Sequence, residues 1–314
     1  MGKGYSPAWN WEDIRRGTLA GADLWDSVED TLTAMQAQDY VADRTLATAV
    51  FLAGKLDKPL LIEGEPGCGK TEIAKVLAAA TGGELIRLQC YEGLDANEAL
   101  YEWNYPKQLL TIRLHEKSRT APDLEAEIFS ERFLLPRPLL RALRADGAPR
   151  PILLIDEIDR ADEEFEGFLL EILSDFQITI PEIGTVKAKT KPFVVITSNR
   201  TRELSDALKR RCLYAYIGFP SLEKEVAILR RKVPGIDERF AMEIAGLVQR
   251  VRAEDLTKRP GIAETLDWAS ALLALGEREI QPDVLMDTLG FLVKDAQDLQ
   301  VLQSGRIQEL MGPR

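Results

Sequence analysis

The chain has 314 residues, 45% of them hydrophobic and 29% charged, the make-up of an ordinary globular protein of about two domains. Forty Lys and Arg stand against 51 Asp and Glu, a net charge of −11 that argues against a general nucleic-acid binder, which would be basic. A single histidine, His115, excludes a multi-histidine metal centre, and three widely spaced cysteines, Cys68, Cys90 and Cys212, fit neither a zinc knuckle nor a disulfide framework. They read as reduced thiols.

Residues 1–38 are polar, with Trp9, Trp11 and Trp25 among charges, and are expected to form an N-terminal extension packed on a larger body. Their first residues hold no apolar stretch of signal-peptide length, so the expected setting is cytoplasmic. Residues 39–58 place Leu46, Val50, Leu52 and Leu56 at helical spacing. A short buried strand is predicted over 59–63, then a glycine loop, then a helix over 72–80 that ends at Gly82-Gly83. Further strands are predicted over 84–90, 152–155, 193–197 and 213–217, with a helix over 163–173 and a hairpin over 177–189. Strands alternating with helices predict an α/β fold with a parallel sheet. Beyond Pro220 the strand signal ends. Ser221 can cap a helix, Phe240, Ile244, Leu247, Val248 and Val251 form an apolar stripe, and Leu285, Leu289, Leu292, Ala296 and Leu299 repeat it. The expected division is an extension (1–38), an α/β core (39–218) and an all-helical domain (219–314). The longest uncharged apolar-rich runs, 45–54 and 268–276, fall well short of the ~20 residues of a membrane span, so no transmembrane segment is expected.

One motif carries chemistry on its own. Gly64-Glu65-Pro66-Gly67-Cys68-Gly69-Lys70-Thr71 fits the phosphate-binding loop. Its glycines let backbone N–H groups face phosphate oxygens, and the following helix presents its positive end to the same anion. Lys70 would reach the β- and γ-phosphates and the Thr71 hydroxyl would ligate Mg²⁺. Ile152-Leu153-Leu154-Ile155-Asp156-Glu157 ends a strand in two acids: Asp156 for the Mg²⁺ shell, Glu157 to deprotonate the attacking water. Asp159 and Arg160 read as helix-start residues with a secondary, interface role. Asn199, at the tip of the strand over 193–197, either holds the water or closes a turn. Lys209-Arg210-Arg211 either complements a helix C-terminus or offers an arginine finger to a neighbouring subunit.

In order and spacing, Lys70, Asp156, Asn199 and Arg211 resemble Walker A, Walker B, sensor 1 and finger of the AAA+ ATPases, with a helical lid behind. The wide first gap and the hairpin before Asn199 resemble the helix-2-insert and pre-sensor-1-insert clade. Within it, GEPGCGKTEIAKVLA, LLIDEIDRADEEFEGFLLEILSDFQITIPEIGT and VVITSNRTRELSDALKRRCLY are most similar to the MoxR-type proteins called CoxD, associated with maturation of the molybdenum–copper carbon monoxide dehydrogenase. The resemblance implies an AAA+ core with a helical lid, ATP and Mg²⁺ as ligands, and hydrolysis coupled to remodelling of a protein client. It further implies a homo-oligomeric ring, expected as a hexamer, a von Willebrand A-domain partner, and a finger at Arg211 rather than Arg210. Tyr40 and Val41 occupy the segment where the family packs adenine. One element departs: no arginine opens the third lid helix, and Lys258 or Arg259 would have to substitute. Tyr101, Trp103 and Tyr105 read either as packing of an insert or as a partner-facing surface, His115 as a surface residue, and Cys68 and Cys212 as candidates for redox control. The rival readings are a DNA-directed AAA+ motor or loader, disfavoured by the net charge of −11, and a GTPase or kinase, for which no Asn-Lys-x-Asp motif is present.

Overall fold

The computed structural model describes residues 25–115, 121–304 and 310–311. Trp9 and Trp11 lie outside the described residues. α1 (Val28–Ala37) and α2 (Arg44–Lys55) begin at Ser27 and Asp43, whose side chains accept the N–H groups of Asp30 and Leu46. β1 (Leu60–Gly64) leads through the glycine loop into α3 (Lys70–Thr81), which stops at Gly82 in the left-handed region (φ 71°). β2 (Leu85–Gln89) follows. The long mixed stretch after it folds as α4 (Ala96–Leu100), β3 (Tyr101–Trp103), α5 (Tyr105–His115), α6 (Ala121–Ile128), β4 (Leu134–Pro136) and α7 (Pro138–Arg144), with β3 and β4 paired antiparallel. Then come β5 (Ile152–Asp156), α8 (Glu163–Asp175), the hairpin β6 (Gln177–Ile180) and β7 (Gly184–Lys187), β8 (Phe193–Ser198), α9 (Asp206–Arg211) and β9 (Leu213–Ile217).

The main sheet is five-stranded and parallel, in the order β2-β5-β8-β1-β9. β1, β5 and β8 are buried throughout, which is why they read as unbroken apolar runs, whereas the edge strands β2 and β9 alternate. Met35, Leu46, Val50, Ile73 and Leu77 cover one face through Leu60, Ile62 and Val195. Leu139, Phe165, Leu169 and Leu208 cover the other through Leu61, Ile155 and Ile196. This is a P-loop AAA fold with a helical C-terminal region. Leu52 departs from its expected place: it is 40% exposed, because Ala47, Val50 and Ala53 turn the buried face of α2 one residue away.

The C-terminal region comprises α10 (Leu222–Lys232), α11 (Glu238–Ala253), α12 (Ile262–Ala274), α13 (Pro282–Leu292) and α14 (Ala296–Gln303). Leu229, Phe240, Ile244, Trp268, Leu285 and Leu289 form its own apolar centre. The stripe running from Leu285 to Leu299 is broken into two helices, since Asp295 caps a new one by accepting the N–H groups of Gln297 and Asp298. At the base of the region Glu225, fully buried, receives Arg252 Nη1 at 2.7 Å and Nη2 at 2.8 Å, with Thr265 and Gln249 completing its hydrogen bonds. Arg252 Nε also donates to Pro260 O at 2.7 Å, tying the loop before α12 to α11.

Arg252→Leu leaves the Glu225 charge buried without its partner and is expected to cost about 3–5 kcal/mol, whereas Arg252→Met with Glu225→Leu costs far less. Urea unfolding midpoints of the two variants measure the difference.

Candidate functional site

The glycine loop is shaped by close backbone contact. A Cβ on Gly64 would lie 1.9 Å from Ile217 O on the neighbouring strand, so only glycine fits. Gly67 (φ 75°) and Gly69 (φ 90°) adopt the left-handed region that lets the loop curl. Gly69 starts α3 with no side-chain cap, leaving the positive helix end for an anion. Lys70 is buried, its Nζ donating to Gly64 O at 2.9 Å and Glu65 O at 2.8 Å, and burial pulls its ammonium below the usual lysine value.

Beside the loop stand the two acids that end β5. Asp156 is 2% exposed. Its Oδ1 accepts Thr71 Oγ1 at 3.0 Å and Thr197 Oγ1 at 2.5 Å, and its Oδ2 accepts Arg87 Nε at 3.0 Å and Nη2 at 2.5 Å. Glu157 sits in the left-handed region (φ 57°), its N–H donating to Thr197 Oγ1 at 2.9 Å. That conformation presents the carboxylate to Asn199 Nδ2 (3.3 Å), Gln89 Nε2 (3.2 Å) and Arg160 Nε (2.9 Å). Asp159 is buried and accepts the N–H groups of Asn199 at 3.1 Å and Thr201 at 2.9 Å, with Thr201 Oγ1 at 2.6 Å. Burial opposes its charge, but the hydrogen bonds from Thr201 and Asn199 prevail and hold the carboxyl below the usual range.

Of these, Gly67, Gly69, Lys70, Thr71, Asp156, Glu157, Thr197 and Asn199 line a cavity of about 440 Å³ together with Tyr40, Val41, Ile217 and, from the helical region, Ile228 and Ile262. Burial pushes the Tyr40 phenol up. Two further cations line the cavity from α10: Lys224 pairs with Asp43 at 3.2 Å and Lys232 with Glu72 at 3.7 Å. The third helix of the C-terminal region, α12, meets the loop through its backbone. Ile262 N–H donates to Gly67 O at 2.8 Å, and a Cβ on Gly261 would lie 2.7 Å from Gly67 Cα. Neither Lys258 nor Arg259 lines this cavity. Both line a second one, of about 490 Å³, on the other side of Pro66 and Gly67, and Asp298 fixes their loop by accepting the N–H groups of Thr257 and Lys258.

Arg211 lies apart from this group. It is exposed, its Nε donating to Ser174 Oγ at 3.1 Å, and it precedes β9, whose Leu213 pairs with Leu60 at the start of β1. Arg210 is also exposed and stands 3.9 Å from Asp206. The aromatic cluster divides. Trp103 is buried, edge-on to Tyr101 (5.9 Å) and Phe129 (5.4 Å), while Tyr105 is 59% exposed. Cys68 Sγ donates to Ile217 O at 3.2 Å, and burial raises its thiol; burial pushes Cys90 and Cys212 up to about 12. All three are therefore thiols rather than reactive thiolates at neutral pH. Sequence reasoning missed Arg87, Gln89 and Thr197. Alternation in β2 marks Arg87 and Gln89 as outward-facing without naming the acid they meet, and Thr197 is a hydroxyl next to the end of a buried strand.

Since the Asp159 carboxyl is held below its ordinary value of 3.8, its contribution to stability is complete above that value and is lost as pH falls through the lowered one. Asp159→Asn is expected to melt below the wild type at pH 7, with the gap closing below about pH 4. Thermal melts between pH 7 and pH 3 check this.

Residues 59–212 match the AAA domain (dynein-related subfamily). The Mycobacterium tuberculosis chaperone MoxR1 is 25% identical over 227 residues, covering 70% of this chain and 50% of that protein. The uncharacterized Escherichia coli protein YehL is 30% identical over 197 residues, covering 60% and 48%. The chain thus spans about half the length of these curated relatives. Among solved structures, a variant of Thermotoga maritima RuvB superimposes with a TM-score of 0.48 at 18% identity, covering 90% of this chain and 81% of that one. No helix among the described residues is long and apolar enough to cross a membrane. The loop, the two acids and the parallel sheet that carries them are the parts of a P-loop AAA fold, and residues 59–212 match the dynein-related subfamily of AAA domains.

Proposed function

We propose that the chain is an ATP-hydrolysing remodelling protein of the MoxR type. One observation carries the reading: Lys70, Thr71, Asp156, Glu157 and Asn199 converge on one cavity roofed by the helical region. The glycine cradle, closed to any side chain at Gly64, fits a triphosphate, and a hydroxyl and a carboxylate at 3.0 Å fit the shell of Mg²⁺. Thr71 and Asp156 would hold that ion, which when bound neutralises phosphate charge. Lys70 exchanges its carbonyl partners for phosphate oxygens. Glu157 takes the proton of the attacking water, with Asn199 orienting both. Tyr40, Val41 and Ile228 form the walls for the base.

Arg211 serves a neighbouring subunit. β1 is five residues long, which separates its start from the loop at its end by about 16 Å, beyond the reach of an arginine beside Leu213. The reading therefore includes a ring, proposed as a hexamer, of units divided at about 1–38, 39–218 and 219–314. The resemblance to CoxD points to a client of the molybdenum hydroxylase kind and a von Willebrand A-domain partner, and the three free, buried thiols favour a cytoplasmic setting.

Lys70→Ala is expected to lose ATP binding. Glu157→Gln should bind ATP with Mg²⁺ yet turn over about 100-fold more slowly. Arg211→Ala should bind normally and hydrolyse poorly. Mixing it with Glu157→Gln at equal amounts should recover up to about a quarter of wild-type turnover, because some interfaces then join an intact base to an intact finger. Phosphate release from the mixture, with subunit exchange followed by labelled protein, measures this. No recovery despite exchange would place Arg211 outside the neighbour's site.

A further inference from the structure

Asp156 is 2% exposed, and a carboxylate removed from water needs a counter-charge. Lys70, the cation of the glycine loop, does not supply it, since its Nζ is turned onto the carbonyls of Gly64 and Glu65. The counter-charge comes from Arg87, two residues before the end of β2. Its guanidinium takes Oδ2 through Nε at 3.0 Å and Nη2 at 2.5 Å, while the hydroxyls of Thr71 and Thr197 take Oδ1. The hydrogen-bonding capacity of the carboxylate is thereby filled, half of it by a full positive charge. The pairing strands explain the reach: Gln89 lies beside Asp156 in the register of β2 and β5, so the Arg87 side chain runs along the edge of the sheet toward the strand ends. It is 52% exposed, unlike the acid it holds, and its Nη2 also donates to Gln89 Oε1.

We propose that Arg87 is a positioning residue that acts as the resident counter-cation of Asp156 and opposes the divalent ion there, setting the Mg²⁺ concentration at which the site fills. The proposal rests on the reading of Asp156 as the acid on the metal side. A guanidinium bonded to Asp156 disfavours a second cation at the same carboxylate, and its removal leaves a buried charge that a divalent ion can satisfy.

The test is a titration of MgCl₂ into the full chain with a fluorescent ADP, on wild type, Arg87→Gln and Arg87→Lys. Arg87→Gln is expected to lower the Mg²⁺ midpoint by about threefold or more, with Arg87→Lys near wild type and ADP affinity in EDTA unchanged in both. A second readout needs no nucleotide. In EDTA, Arg87→Gln should melt below wild type, and MgCl₂ alone should raise its melting temperature more than that of wild type. A midpoint in Arg87→Gln that is unchanged or raised overturns the proposal, as does a melting temperature that MgCl₂ raises equally in both proteins. If wild type shows no Mg²⁺ dependence while binding ADP, the metal-side reading of Asp156 falls with it. A wild type that binds no ADP instead overturns the nucleotide reading itself. Should Arg87→Gln not fold, Arg87→Met, which keeps the stem and removes the charge, decides by the same two readouts.

Discussion

Everything at the site depends on one register. β1, β5 and β8 run parallel and side by side, with Leu60 opposite Val195 and Leu154 opposite the same residue, so their C-terminal ends fall at one level. Parallel strands cannot be joined by tight turns, and each must be left through a loop at that edge. The glycine loop, the Asp156-Glu157 pair and the Asn199 turn are the three exits. Their side chains meet because the strand ends do, although 85 residues of sequence separate Thr71 from Asp156. Gly64 completes the constraint: with β9 packed against β1, its backbone abuts Ile217 O, and no other residue could turn the chain there.

The same edge concentrates charge in a chain that is acidic overall, and each acid has its own means of support. Asp156 is held by a guanidinium and two hydroxyls, Asp159 by backbone N–H groups and Thr201, and Glu157 by Asn199, Gln89 and Arg160. The most exposed of the three, Glu157, is the one assigned to proton transfer, while Asp156 lines the cavity and Asp159 holds the backbone of Asn199 and Thr201. The left-handed backbone at Glu157 is a local strain held in place by the Thr197 hydroxyl, which touches both Glu157 and Asp156.

Much of this was legible in the sequence, and the reasons differ from residue to residue. The strands around Leu61, Leu154 and Val195 were legible because burial on both faces demands unbroken apolar runs. The loop was legible because backbone wrapping of phosphate demands glycine at fixed offsets. Arg87 and Gln89 were not, because alternation in a five-residue strand says which side chains are exposed and nothing about which distant acid they meet. The break at Asp295 was hidden by an apolar stripe that continues in phase across it, and only the capping carboxylate tells the two helices apart. Leu52 was misplaced because alanines, weak signals of burial, define the inner face of α2. The aromatic cluster was read as one unit, yet the pairing of β3 with β4 buries Trp103 while Tyr105, on the next helix, stays outside.

The backbone bond from Ile262 to Gly67 makes α12 a lever with its short arm on the glycine loop. A helix of 13 residues is about 20 Å long, so a tilt of only about 10° at the loop end displaces the far end by about 3–4 Å. At the pivot Gly261 and Gly67 meet backbone to backbone, with the Glu264 carboxylate beside them accepting the Gly261 N–H at 2.9 Å. A tilt at the loop end would thus be enlarged along the helix, whose middle and far end engage the remaining helices through Trp268 and Leu272. A displacement at Gly67 would reach the helical region enlarged in proportion to the length of α12.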